Sequence, residues 1–259
     1  GHEVIRDNHI GDWGTQFGMV IYGWKHLLDR VALARDPIAE LVRIYKTANE
    51  LTKTDPAVRD ACRNELVRLQ AGDEENLRIW NECVALSMQE FEAAYELLGI
   101  HYDIERGESF YNDRLPAVVD RLLKSGIAEV SEGAVCVFFR DVPELAERPC
   151  IIQKSDGGFN YATTDIATID YRVQDLGADT IWIVTGAPQQ LHFKQIFEIA
   201  RREHYRTDFR HITHGSILGE NRKLMKTRSG ENVPLNDLLK EAIVRAQLDT
   251  HQIRHHHVE

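Results

Sequence analysis

The chain has 259 residues, is 43% hydrophobic and carries a formal net charge of −10, enough to bury a sizeable core as one large domain or one domain with an insertion. It contains no run of about 18 apolar residues and no basic start followed by a hydrophobic stretch, so no membrane-spanning helix is expected and a cytoplasmic setting is the default expectation. The acidic balance argues against a protein that grips nucleic acid over its whole surface, because phosphate neutralisation needs clustered Lys and Arg; any RNA contact is local.

Taken in chain order, Glu3-Val4-Ile5-Arg6 reads as a short strand that empties into a glycine-punctuated loop, Asn8 to Gly18 (NHIGDWGTQFG). Loops at the carboxyl ends of strands are where open α/β sheets bind ligands, and Asp12, Trp13 and Gln16 are expected to be exposed there; the competing reading is a purely structural turn. Residues 36 to 99 carry few glycines, many charges and apolar residues at three and four spacing, as at Leu41, Ile44, Tyr45 and Ala48, which predicts a helical insertion.

An amphipathic helix is predicted over 114–125. A hairpin follows, Ile127–Val130 with Ala134–Phe139 about Glu132-Gly133, and a second hairpin, from Cys150–Gln153, turns at Ser155–Gly158. Beyond it the rhythm is helix 163–176, strand 180–185, helix 189–203, strand 210–214, glycine-rich loop and helix 236–247. Such alternation predicts a parallel sheet flanked by helices. The run Ile181-Trp182-Ile183-Val184 is almost all apolar and fits a central strand buried on both faces. Cys62, Cys83, Cys136 and Cys150 are scattered, without metal-ligand spacing, and read as buried reduced thiols. His255-His256-His257 reads as an appended tag, and no metal site is expected.

Two constellations carry chemistry. Tyr161-Ala162-Thr163-Thr164-Asp165 enters a helix after a glycine turn, and Gln189-Gln190-Leu191-His192-Phe193 follows the next strand. A spacing of four places Tyr161 and Asp165 on one helical face. A phenol, a carboxylate and an amide converging there suit a small cationic ligand with several N–H donors. The competing reading makes Thr163 or Thr164 an N-cap, sets Asp165 against the helix dipole and leaves Tyr161 packed. The second constellation, His214 to Gly219 followed by Arg222 to Gly230, places several basic residues between glycines. It reads either as a polyphosphate clamp or as a solvated basic loop. Neither glycine-rich stretch has the spacing of a P-loop or a dinucleotide fingerprint.

In order, NHIGDWGTQFG (Asn8–Gly18), GESFY (Gly107–Tyr111), YATTDIA (Tyr161–Ala167), HFKQ (His192–Gln195) and TRSG (Thr227–Gly230) resemble the arginyl-tRNA synthetases, and the resemblance runs from residue 1 to about 247. It implies an α/β fold: a Rossmann-like class I synthetase catalytic domain with a parallel sheet and a helical plus hairpin insertion. In that frame residues 1–35 are the first part of the catalytic domain, 36–153 the insertion, 154–250 the second half with its mobile signature loop, and 251–259 a tail.

The function implied is ATP-dependent activation of L-arginine to arginyl-adenylate, with Mg2+ accompanying ATP, and transfer to tRNA(Arg). The complete protein is expected to be a monomer without membrane association. Carried over by position, Tyr161, Asp165 and Gln189 hold the arginine. His192, Ile217, Leu218 and Met225 lie against ATP, and Lys223, Lys226 and Arg228 stabilise its phosphates as pyrophosphate leaves.

Two departures stand out. The His-x-Gly-His signature of class I enzymes is absent, and is expected upstream of the segment matching Gly1; His9-Ile10-Gly11-Asp12 has Asp in place of the second His. Leu224-Met225-Lys226-Thr227-Arg228 stands where the family carries Lys-Met-Ser-Lys-Ser. A shortened, non-ligating paralogue that binds arginine or a nucleotide, as a sensor or interaction module, is the competing function.

Overall fold

The computed structural model describes residues 1–215, Leu235 and residues 238–246. Two compact units emerge among the described residues, one containing residues 1–105 and the other residues 106–215.

The first unit is helical, and aspartates set its punctuation. Helix α1 (Gln16–His26) is followed by α2 (Arg30–Arg35), α3 (Pro37–Thr54), α4 (Pro56–Gln70) and α5 (Glu74–Leu98). Asp36 and Asp55 each cap the helix that the following proline opens, accepting from the amides of Ala39 and Ala57. A proline at the first helical position has no N–H to leave unsatisfied, and such a cap contributes roughly 1 kcal/mol. Asp73 caps α5 in the same way, and α5 ends at Gly99 with φ of 65°. The predicted helical stretch is therefore three helices.

Helix α1 packs on α3, α4 and α5 through Ile21, Trp24, Ile44, Leu69 and Ile79. Within this apolar bundle Lys25 is satisfied on all three protons. Its Nζ lies 2.9 Å from Glu65 Oε2, 2.7 Å from Asn76 Oδ1 and 3.0 Å from Glu75 Oε2. Complete pairing is what makes a nearly buried ammonium tolerable.

The expected strand at Glu3–Arg6 is displaced. The strand is Asp7–Asn8 (β1), paired in parallel with Ile104–Glu105 (β2), while Val4 and Ile5 are exposed. The following loop also departs from expectation. Asp12 is buried, its carbonyl accepts from Trp80 Nε1 at 2.7 Å, and Trp13 packs edge-on against Trp80. Only Gln16 of the three is exposed. Two apolar rings gain more from the helical core than from solvent, so this loop is a packing element and the structural-turn reading prevails for Asp12 and Trp13.

The second unit begins with a 3-10 segment, Glu108–Arg114, leading into α6 (Leu115–Lys124). Strands β3 (Glu129–Ser131) and β4 (Ala134–Val137) form the expected hairpin, turning at Glu132 and Gly133, both with positive φ; β5 (Cys150–Gln153), expected in a hairpin of its own, pairs with β4 as a third antiparallel strand, and the turn after it is closed by the antiparallel bridge Gln153–Phe159. Helix α7 (Tyr161–Asp170) ends in a π-helical turn, Tyr171–Asp175. Strand β6 (Thr180–Gly186) is followed by a 3-10 turn over Ala187–Gln189, then α8 (Gln190–Arg202) and β7 (Asp208–His214). Strands β6 and β7 pair in parallel over their full length.

Burial of β6 on both faces is not observed. Ile181 is 5% exposed, but Trp182 and Val184 are 61% and 63% exposed. Among the described residues this sheet has two strands, and Ile183 and Phe209 pack against the core that α8 shares, while Trp182 and Val184 face away from it. An all-apolar run reports burial potential on both faces and cannot say which face is covered.

The fold is thus α/β with a parallel strand pair, an antiparallel three-stranded sheet and a helical unit. No described helix is long and apolar enough to cross a membrane. The predicted helix over 236–247 is helical at 238–246; its other residues, the glycine-rich loop from Ser216 and the tail lie outside the described residues.

Candidate active site

Helix α7 presents the first constellation. Asn160 is the N-cap, its Oδ1 accepting from the Tyr161 amide at 3.0 Å. Thr163 is buried and donates its hydroxyl to the Ile152 carbonyl, which ties the helix to β5. Thr164 is buried as well. Neither threonine caps the helix, and Asp165, the fifth helical residue, lies beyond the first turn where a carboxylate would complement the dipole. Tyr161 is 59% exposed rather than packed away. The capping interpretation of this cluster therefore fails for the threonines and for Asp165.

Tyr161 and Asp165 meet at His192, on the first turn of α8. His192 Nε2 lies 2.5 Å from Asp165 Oδ2, and the Tyr161 ring sits over the imidazole with centroids 4.6 Å apart. A carboxylate has only acceptors, so Nε2 is the donor. The two side chains retain 11% and 19% exposure, placing the pair at the rim of the unit. Gln189 is brought to the same end of α8. It is exposed at the N-cap position without a side-chain capping bond.

Two further residues approach this cluster from the sheet. Thr185 Oγ1 and His211 Nε2 lie 2.7 Å apart, and the His211 ring is 5.0 Å from Phe193, the neighbour of His192. Burial, with His192 nearby, pushes the His211 imidazole below its ordinary 6.5. His211 Nδ1 is buried without a hydrogen-bond partner among the described residues. The sequence signal for both was their strand parity: Ile183 and Thr185, and Phe209 and His211, each share one face at period two. Beneath α7, Cys150 is pushed up to about 12 by burial, with Cys136 and Asp165 adding to the shift.

Of the nucleotide side, Ile217, Leu218, Lys223, Met225, Lys226 and Arg228 lie outside the described residues. His192, expected against ATP, is engaged by Asp165 and Tyr161.

Comparison with known proteins places this arrangement in a family. The model of "tRNA synthetases class I (R), catalytic domain" matches residues 1–257. The arginine–tRNA ligase of Cyanothece sp. is 44% identical over 256 residues, covering 96% of this chain and 44% of the relative. That of Nostoc punctiforme is 45% identical, with 96% and 44% covered. The chain thus spans less than half the length of these relatives. Among solved structures, the arginyl-tRNA synthetase of Plasmodium falciparum superposes with a TM-score of 0.76 at 29% identity, over 98% of this chain and 41% of the other. The Thermus thermophilus arginyl-tRNA synthetase shares the fold, with a TM-score of 0.72 at 19% identity over 96% of this chain and 47% of that one. With a family model matched over nearly its whole length, this chain belongs to the class I (R) tRNA synthetase catalytic-domain family.

Proposed function

We propose that the chain forms part of an arginine–tRNA ligase, contributing the pocket that holds L-arginine while ATP converts its carboxylate to arginyl-adenylate, before transfer to the terminal ribose of tRNA(Arg). The observation that carries the proposal is the Asp165 carboxylate, partly exposed at the carboxyl end of the parallel strands, flanked by Tyr161 one helical turn away and with Gln189 at the same end of α8. Family membership and relatives named arginine–tRNA ligase support the same reading.

Asp165 is the guanidinium partner. Its two oxygens offer about four acceptor positions, of which His192 uses one, so a planar fork of N–H donors still finds two parallel bonds. Lysine, a point charge, finds no equivalent match. Tyr161 contributes an aromatic wall and a hydroxyl, and Gln189 an amide. Met225, Ile217 and Leu218 are assigned to the nucleotide, and Lys223, Lys226 and Arg228 to its phosphates. Residues 36–153 are read as an insertion into the catalytic domain. Among the described residues no group of three or more His, Cys, Asp or Glu side chains could hold a metal ion. Magnesium is assigned to the phosphates of ATP, which it accompanies.

Calorimetric titration with L-arginine, lysine as control, and then ATP tests this reading. Arginine-selective binding that Asp165→Ala abolishes, with ATP binding retained, is expected. Equal loss of both ligands in that variant overturns the assignment of Asp165.

A further inference from the structure

We propose that His192 is a positioning residue for the arginine pocket, donating from Nε2 to fix the Asp165 carboxylate for an incoming guanidinium. The proposal rests on the reading of Asp165 as the guanidinium partner, and it moves His192 from the nucleotide to the amino acid.

The geometry is specific. His192 Nε2 makes the one hydrogen bond that Asp165 receives among the described residues, at 2.5 Å. An exposed aspartate rotates about two side-chain bonds, and a ligand that must meet it as a fork works against that freedom. One oriented N–H removes the freedom while leaving the other acceptor positions open. The imidazole is itself held on two sides. Tyr161 covers it at 4.6 Å, and Phe193, 4% exposed, lies beside it at 4.9 Å. Phe193 in turn rests on His211, which Thr185 holds across the β6–β7 pair. A continuous row of packed groups therefore runs from the parallel strands to the carboxylate.

His192→Gln keeps an N–H donor near the position of Nε2, whereas His192→Phe keeps the ring and discards the donor. Affinity of the 259-residue chain for L-arginine, measured by calorimetry, is expected to stay within about threefold of wild type for H192Q. It is expected to fall roughly tenfold or more for H192F, the range for losing a hydrogen bond to a charged group. ATP affinity is expected to be unchanged in both. A packing role would reverse the order, with Phe tolerated and Gln not, and would overturn the proposal. So would parallel losses of ATP and arginine, which would make His192 a nucleotide contact.

A measurement on the wild-type chain stands if either variant misfolds. Nitrogen-15 spectra of the imidazole should show Nε2 protonated with and without arginine, and an unprotonated Nε2 sinks the idea. Absence of arginine binding by the wild type would remove the reading of Asp165 and this proposal together. Arginine binding that H192F leaves intact removes only the positioning role.

Discussion

Gly18 on α1 lies directly against the backbone carbonyl of Cys62 on α4; a methyl group placed there would overlap that oxygen and stand 3.1 Å from Leu66 Cβ. Helix backbones approach this closely only where one of them lacks a side chain. Gly18→Ala must therefore push α1 from α4, and we expect a loss of about 2–3 kcal/mol in denaturant unfolding, the upper range for overpacking. An unchanged urea midpoint would contradict the close approach.

Arg121 on α6 binds two buried carboxylates, Asp170 Oδ2 at 2.6 Å and Glu203 Oε1 at 2.5 Å, while Tyr205 donates to the other oxygen of Asp170 at 2.7 Å. The network ties α6 to the end of α7 and to the residue after α8. Replacing Arg121 by Met leaves two carboxylates without their cation. Arg121 is 39% exposed, so the expected cost is about 2–3 kcal/mol, below the ~3–5 kcal/mol of a fully buried pair. Chemical denaturation of R121M beside the charge-retaining R121K separates lost charge from lost packing.

Acid should weaken the helical unit at Glu65. Burial pushes its carboxyl up, but hydrogen bonds from Lys25 and Asn76, with the charges of Lys25 and Arg68, more than reverse this and hold it below the ordinary 4.5. A carboxyl whose folded value is depressed contributes stability that is present above the unfolded value. That contribution is lost as the pH falls through the folded value. Melting temperatures should be flat from pH 7 to about 5 and drop below about 4.5. Glu65→Gln should melt lower at pH 7 with a shallower acid slope, and an unaltered slope would remove Glu65 from the account.

The thiols should be inert while the chain is folded. Burial, and the charge of Glu82, push Cys83 up to about 12; burial, with Cys136 and Asp165, takes Cys150 to about 12. All four cysteines are buried and free. Because the thiolate is the reactive species, an aromatic disulfide reagent at pH 8 should label none of the four until denaturant is added. Rapid labelling of the native chain at Cys83 or Cys150 would show that burial to be breached.

Local signals were legible wherever the physics was local. The apolar spacing over 36–99 predicted helix, while the division into separate helices rests on Asp-Pro pairs at 36–37 and 55–56, where a cap and a fixed φ act within one turn. Glu132-Gly133 marks the hairpin for a similar reason, a positive φ on both residues. The spacing of four between Tyr161 and Asp165 put both on one face, and the ordered motifs pointed to the family. What the sequence left open depended on partners distant along the chain. Asp12 and Trp13 turn inward because Trp80, 68 residues after Asp12, supplies a donor and a ring. Trp182 and Val184 read as buried, yet among the described residues it is the face carrying Ile181 and Ile183 that meets the core. The Asp165–His192 bond joins residues 27 apart across a strand and two turns, and Thr185–His211 joins two strands. Periodicity encodes which residues share a face; which face finds a partner, and which atom of that partner, is decided by packing between elements that only the folded chain brings together.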